Sequence, residues 1–460
     1  QTGGYRTACI GKWHNGEQYP YTPPGQGFDE FFGFCNGHTN NYFNATLLCG
    51  SKPTPTEGYI SDVLTDEAIA FMKRNQSVPF LCYLSYNAPH SPYQVADKYY
   101  DKFADKGFDA RTSGFYGMCE NIDDNVGRLL QSLDELQLAK DTIVLFLTDN
   151  GGTAGVKHYN AGMRGGKTSV HEGGCRVPLF IRWPAKFDKP HVVKQLASHI
   201  DLYPTLLDLC KVTPPKGPAI DGVSLRPLLE SDDAEWPERT LFTHNPISPD
   251  NRYPGAVRTP RYRLVCTIKG PQGGSSAREN DTSASAWQLY DMLADPGEKK
   301  NLAKQHPEIV SRLSKQYEVW YDDISREPLT RLPIQVGHDE ENPVALHAPQ
   351  AYFSGDLKFD HGPVYAHYWL TGWDVLFDVF VMRGGVYAVQ WQHASPTAKE
   401  PLQIHISTGE HEVRGTLAPD KAEVIDLPNR DARSNERYVN RRWGVAKPGK
   451  LPLSAGRERL

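Results

Sequence analysis

Apolar and polar positions change period several times along this 460-residue chain, and each change predicts a different kind of element. From Gly3 to about Cys210, short continuous apolar runs alternate with stretches of helical spacing. That is the pattern of an α/β domain whose mostly parallel sheet is sandwiched by helices. Residues 78–86 and 142–147 are apolar runs of the kind carried by strands covered on both faces. Between them Met118, Ile122, Val126, Leu129, Leu130, Leu133 and Leu136 recur at helical spacing and describe one apolar stripe. Residues 177–181 read as another strand, and residues 199–207 as a helix with Pro204 in its first turn.

Two further textures follow. Residues 256–265 suggest a hairpin, residues 287–293 a strand and residues 306–321 a helix, together a small antiparallel sheet with one helix. Residues 270–285, rich in glycine and serine, read as a mobile loop. Beyond Leu332, Trp373, Val375, Phe377, Val379 and Val381 alternate, Arg383-Gly384-Gly385 turns the chain, and Tyr387, Val389 and Trp391 alternate on the return. A hairpin is expected there, then a strand through Leu402, Ile404 and Ile406, in a β-sandwich-like region. From Asn429 onward basic residues outnumber acids and the apolar pattern fades, so a poorly ordered tail is expected. The resulting division is 1–235, 236–328, 329–430 and 431–460, with no internal repeats.

Composition narrows the function classes. Hydrophobic residues at 39% and charged residues at 23% fit a globular protein of two or three domains. A formal charge of −5 offers no general attraction to nucleic acid or anionic membrane, and no apolar run is long enough to span a bilayer. The eight cysteines contain no C-x-x-C pair, which excludes common zinc spacing; Cys82 and Cys210 lie in apolar runs and read as buried thiols. Asn44, Asn75 and Asn280 head glycosylation sequons, a motif of low specificity.

Candidate chemistry gathers at strand ends. Lys12 and His14 share one side of the first strand and offer a fixed charge and a titratable donor to an anion. Asp149-Asn150-Gly151-Gly152 follows the strand ending at Leu147, and two oxygen-bearing side chains there suit a hard cation; an Asx turn is the plainer alternative. His90 sits between Pro89 and Pro92 after the run at 78–86, where prolines restrict the loop. Gly165-Gly166-Lys167 and Glu172-Gly173-Gly174-Cys175-Arg176-Val177-Pro178 let backbone approach a ligand while Lys167 meets an oxyanion. The spacing is not that of a Walker A loop.

In this order, these segments resemble the type I, formylglycine-dependent sulfatases of the alkaline phosphatase superfamily. Residues 27–34, 199–205, 221–225, 289–291 and 295–298 carry further similar text, so the resemblance runs from about Gly3 to Leu302. It implies an alkaline phosphatase-like fold, a sulfated carbohydrate as substrate and one calcium ion. Asp149 and Asn150 would be calcium ligands, and Lys12 and Lys167 would hold the sulfate oxygens. His90 would serve the leaving oxygen and His14 the modified nucleophile. His38, in Cys35-Asn36-Gly37-His38, is the candidate for substrate contact. The family's Cys/Ser-x-Pro-x-Arg nucleophile signature and paired aspartates are missing; both normally precede the first segment, so a truncated N-terminus is expected and the chain alone is expected to be inactive. The resemblance also implies export to the periplasm or beyond. Two rivals are a phosphodiesterase or phosphatase of the same superfamily and a non-catalytic, carbohydrate-binding relative, the latter prompted by Trp369, Trp373 and Trp391.

Overall fold

The computed structural model describes residues 3–187, 189–245, 251–268, 286–327, 330–354, 358–359, 366–367, 374–393, 399–419, 423–425 and 440–460. The expected loop at 270–285, the sequon at Asn280, Trp369 and Trp373 lie outside them. The chain divides into two compact units: residues 3–136 with 331–460, and residues 137–330. The segment read as one domain, 1–235, is thus shared between two units, and the C-terminal region joins the first.

The first unit begins with strands β1 (Arg6–Lys12), β2 (Glu30–Phe34), β3 (Thr46–Cys49) and β4 (Lys52–Pro55). Helix α1 (Ile60–Arg74), strand β5 (Phe80–Ser85) and helices α2 (Asp97–Ala104) and α3 (Ala110–Glu135) follow. Their sheet has the order β4-β3-β2-β1-β5. β1 is parallel to β2 and β5, while β3 and β4 add antiparallel strands at the far edge, so the sheet is mixed rather than mostly parallel. Gly11 is obligatory in β1: its φ is +114°, and a Cβ would lie 2.1 Å from the Ser85 carbonyl oxygen on β5.

Helical cover is uneven. α1 packs on β1, β2 and β5, and α3 packs on α1 and α2. β1 is buried from Thr7 to Gly11. In β5, however, Leu81 and Tyr83 are 44% and 46% exposed, whereas Phe80 meets Phe71 of α1 edge-on. The run at 78–86 therefore buries one face, not two. Helix α3 corrects another expectation. Its deepest face carries Met118, Asn121, Asn125 and Leu133, while Ile122, Val126, Leu129 and Leu130 are half-buried. Asn121 and Asn125 both donate to Asp62 Oδ1 of α1, at 2.9 and 2.7 Å, so the helices are joined by a polar seam.

In the second unit, β6 (Val144–Leu147) pairs antiparallel with β7 (Leu179–Arg182), not as a member of a parallel sheet; Phe180 is 65% exposed. After α4 (Leu202–Leu209) comes a four-stranded antiparallel sheet of β8 (Leu241–His244), β9 (Gly255–Arg258), β10 (Tyr262–Cys266) and β11 (Gln288–Asp291), in the order β11-β10-β9-β8. Helix α5 (Pro307–Ile324) lays Leu313, Tyr317 and Tyr321 over Val257, Leu264 and Leu289 of that sheet.

The C-terminal region returns to the first unit. β12 (Ile334–Val336), β13 (Asp378–Val381) and β18 (Gly456–Arg459) form one sheet. β14 (Gly385–His393) pairs with β17 (Gly444–Leu453), and β15 (Leu402–Ser407) with β16 (Glu412–Leu417). The alternating runs on either side of Arg383 are not a hairpin: β13 and β14 pair with different partners, and the turn carries the chain from one sheet to another. Residues 444–459, expected in a poorly ordered tail, are strands, because Leu451 and Leu453 insert beside Val336, Val379 and Val381 while the basic residues face outward. Among the described residues no helix is long and apolar enough to cross a membrane.

Candidate functional site

Three parallel strands deliver their carboxyl ends to one edge of the first unit's sheet, where open α/β sheets bind ligands. Lys12 closes β1, and Ser85 of β5 donates to its carbonyl at 2.6 Å. The ladder then continues past the strand, with Trp13 N–H and His14 N–H donating to Phe34 and Cys35 carbonyls at 3.0 Å. His14 is held in the left-handed region at φ +57°. That costs a non-glycine residue of order 1–3 kcal/mol and persists only where surroundings over-determine it. Gly37 explains how the imidazole is accommodated: a Cβ there would sit 2.1 Å from His14 Nε2.

His38 follows β2 and His90 follows β5, and the fold brings them together. Their Nδ1 atoms are 3.4 Å apart, with ring centroids at 5.2 Å. His38 Nε2 donates to Asn40 Oδ1 at 2.5 Å, and His90 Nδ1 donates to the Ser91 carbonyl at 2.7 Å. A carbonyl only accepts, so His90 carries its proton on Nδ1 and, when neutral, its lone pair on Nε2. Tyr42, buried, donates to the His90 carbonyl at 2.6 Å, and Gln94 ties Asn40 and Tyr42 through their backbones. Asn87, in the same loop, is 5% exposed and its amide has no hydrogen-bond partner among the described residues. Sequence reading missed Asn40, Tyr42, Asn87 and Gln94; only the position of Asn87 just past a strand end could have singled it out.

The second unit carries Asp149, Asn150 and Lys167. Asp149 Oδ1 accepts from the adjacent Asn150 N–H at 2.9 Å, one residue on rather than the two that define an Asx turn. His199 donates to the Thr148 carbonyl at 2.9 Å beside it. Backbone bonds stitch this segment to the glycine-rich loop: Lys167 N–H to Gly152 O at 3.0 Å, and Gly151 N–H to Gly174 O at 3.1 Å. Thr168, next to Lys167, is β-branched and sits at φ +72°, a second strained residue beside a candidate group.

Behind that loop lies a buried charge cluster. Arg263 donates to Glu172 Oε2 at 2.8 Å and to the Val170 carbonyl at 2.6 Å. Glu298 accepts from the Glu172 N–H at 2.9 Å and from His171 Nδ1 at 3.1 Å. All four residues are at most 4% exposed. Removing one partner of such a set leaves a buried charge uncompensated, at a cost of about 3–5 kcal/mol.

Burial pushes the thiols of Cys9, Cys35, Cys82 and Cys119 up to about 12, so none of these is a thiolate nucleophile near neutrality. Asp149 and Asn150 have the oxygen chemistry of a calcium or magnesium site. Calcium takes about six to eight such ligands, and among the described residues no three His, Cys, Asp or Glu side chains cluster as a metal site. The pair suits one side of a hard cation's shell.

Comparison with known proteins agrees with this chemistry. Residues 1–212 match the family model for sulfatases, and residues 166–322 match that for the C-terminal part of N-sulphoglucosamine sulphohydrolase. A sulfatase of Escherichia coli (strain K12) named YdeN, itself uncharacterized, is 29% identical over 392 residues, covering 72% of this chain and 67% of the relative. Human N-acetylgalactosamine-6-sulfatase is 33% identical over 250 residues, covering 49% of this chain and 46% of the relative. The chain thus spans between about half and two thirds of these relatives' length. The crystal structure of Ps i-CgsB with k-i-k-neocarrahexaose superposes with a TM-score of 0.60 at 27% identity, covering 70% of this chain and 72% of the other. Taken together, these matches make residues 1–322 of the chain similar to sulfatases.

Proposed function

We propose that the protein is a sulfuric ester hydrolase acting on a sulfated carbohydrate. The observation that carries this reading is the approach of His38 to His90 beyond the carboxyl ends of three parallel strands, one of which ends at Lys12. Sulfate transfer spreads negative charge over equatorial oxygens and leaves an alkoxide on the sugar. Lys12 and Lys167 would hold the oxygens; one such preorganised donor is worth roughly 3–4 kcal/mol of barrier. His90, when doubly protonated, would give its Nε2 proton to the bridging oxygen as the S–O bond breaks, while its Nδ1–H stays on the Ser91 carbonyl. His14 would serve a formylglycine nucleophile, which no described cysteine provides, and His38 would contact the sugar. A calcium ion, held in part by Asp149 and Asn150, would supply further charge neutralisation. Export to the periplasm or beyond fits such a substrate. A carbohydrate substrate is supported by the names of the relatives, one a sulfatase of N-acetylgalactosamine 6-sulfate and one solved with a carrageenan oligosaccharide.

The test is sulfate release by the complete gene product from N-acetylgalactosamine 6-sulfate, with the 6-phosphate in parallel. Sulfate ester turnover is expected to dominate. His90→Ala is expected to lower kcat by about 10²–10⁴-fold with KM nearly unchanged. Preferential phosphate release, or a raised KM at unaltered kcat, overturns the assignment.

A further inference from the structure

Between β1 and β2 the chain makes a long loop, and the C-terminal region docks on it. Gln18, 6% exposed, donates to the Ala345 carbonyl at 2.7 Å and exchanges amide hydrogen bonds with Gln350 at 2.8 and 2.6 Å. Tyr19 stacks on His338 with centroids 4.0 Å apart, and its N–H donates to Glu341. Glu17 is the pivot. Its Oε1 accepts from Asn36 Nδ2 at 2.8 Å, and its Oε2 lies 3.1 Å from His347 Nε2. The contact is one of close approach: among the described residues Glu17 Oε2 has no aligned hydrogen bond, and the turn at 348–350 closes through the Gln350 N–H, which donates to the His347 carbonyl at 2.9 Å.

Asn36 directly precedes Gly37, against which His14 packs, and His38, which meets His90. A continuous set of contacts therefore runs from His347 through Glu17 and Asn36 to both candidate histidines. The family models end at residue 322, so His347 and its neighbours belong to a part of the chain those models do not cover. We propose that Glu17 and His347 are a positioning pair that sets the loop 36–38, making the C-terminal region part of the sugar-recognition apparatus. His347 touches no reacting atom in this scheme; it acts through Glu17. The sugar-recognition half of the inference rests on the proposed function, whereas the positioning half does not.

The experiment uses the full chain, labelled with ¹⁵N at histidine, as wild type, His347→Ala, His347→Gln and Glu17→Gln. Glutamine keeps an N–H to face Glu17, so it separates that polar contact from the ring's bulk. Expected are displaced His38 and His14 imidazole signals in His347→Ala and Glu17→Gln, and near wild-type signals in His347→Gln. In titration calorimetry, His347→Ala is expected to weaken N-acetylgalactosamine 6-sulfate about tenfold, with inorganic sulfate affinity unchanged. Unmoved imidazole signals in His347→Ala overturn the positioning pair. Equal losses for the sugar sulfate and inorganic sulfate overturn the role in sugar recognition. A wild type that binds neither probe tells against the proposed function, and the imidazole signals then still decide the pair.

Discussion

Single residues carry opposed demands near the candidate site. His14 and Thr168 hold left-handed backbone that their side chains disfavour, each beside a group proposed to meet sulfate. Such strain is visible only in coordinates, since neither residue type signals it. Glu341 shows a different tension: burial raises its carboxyl above the ordinary range, although the Tyr19 N–H and His338 oppose the shift. A carboxyl with a raised folded pKa binds its proton more tightly folded than unfolded. Its ionisation therefore weakens the fold as pH climbs from the unfolded value of roughly 4.3. Glu341→Gln keeps an acceptor for Tyr19 and removes the charge. We expect it to melt higher than wild type at pH 7, with the advantage shrinking toward pH 4. An advantage that grows on acidification would contradict the sign.

Elements were legible to different degrees, and the reason is range. Strands β9 and β10 and helix α5 follow the sequence pattern because a tight turn and a 3.6-residue period are local. Helix α3 was recognisable as a helix, but its deepest face was not: Asn121 and Asn125 are buried because Asp62 on α1 meets them, which no local pattern reveals. The strand β14 was likewise recognisable while its partner was not, since alternation fixes which face is inward but not which strand lies alongside. Helix α5 offers the sharpest energetic statement. Leu313 is fully buried against the antiparallel sheet, and Leu313→Ala is expected to cost about 2–5 kcal/mol. Denaturant midpoints followed by far-UV circular dichroism would check it, and a loss below about 1 kcal/mol would mean that this core collapses around the gap.

On the scale of the whole molecule, two compact units, each with its own core, imply more than one cooperative transition. Differential scanning calorimetry is expected to resolve two, with Leu313→Ala moving one and Val379→Ala the other. One transition shifted by both variants would show that the units unfold together. The chain's own text picked out the strand-end segments that bear Lys12, His90, Asp149 and Lys167, because each such segment is contiguous in sequence. Tertiary structure alone decided that His38 lies against His90, that Gly37 makes room for His14, and that Gln18 binds Gln350 across 332 positions. Hydrophobic period is a property of a dozen neighbouring residues, whereas these contacts depend on which distant surfaces bury each other when the chain collapses.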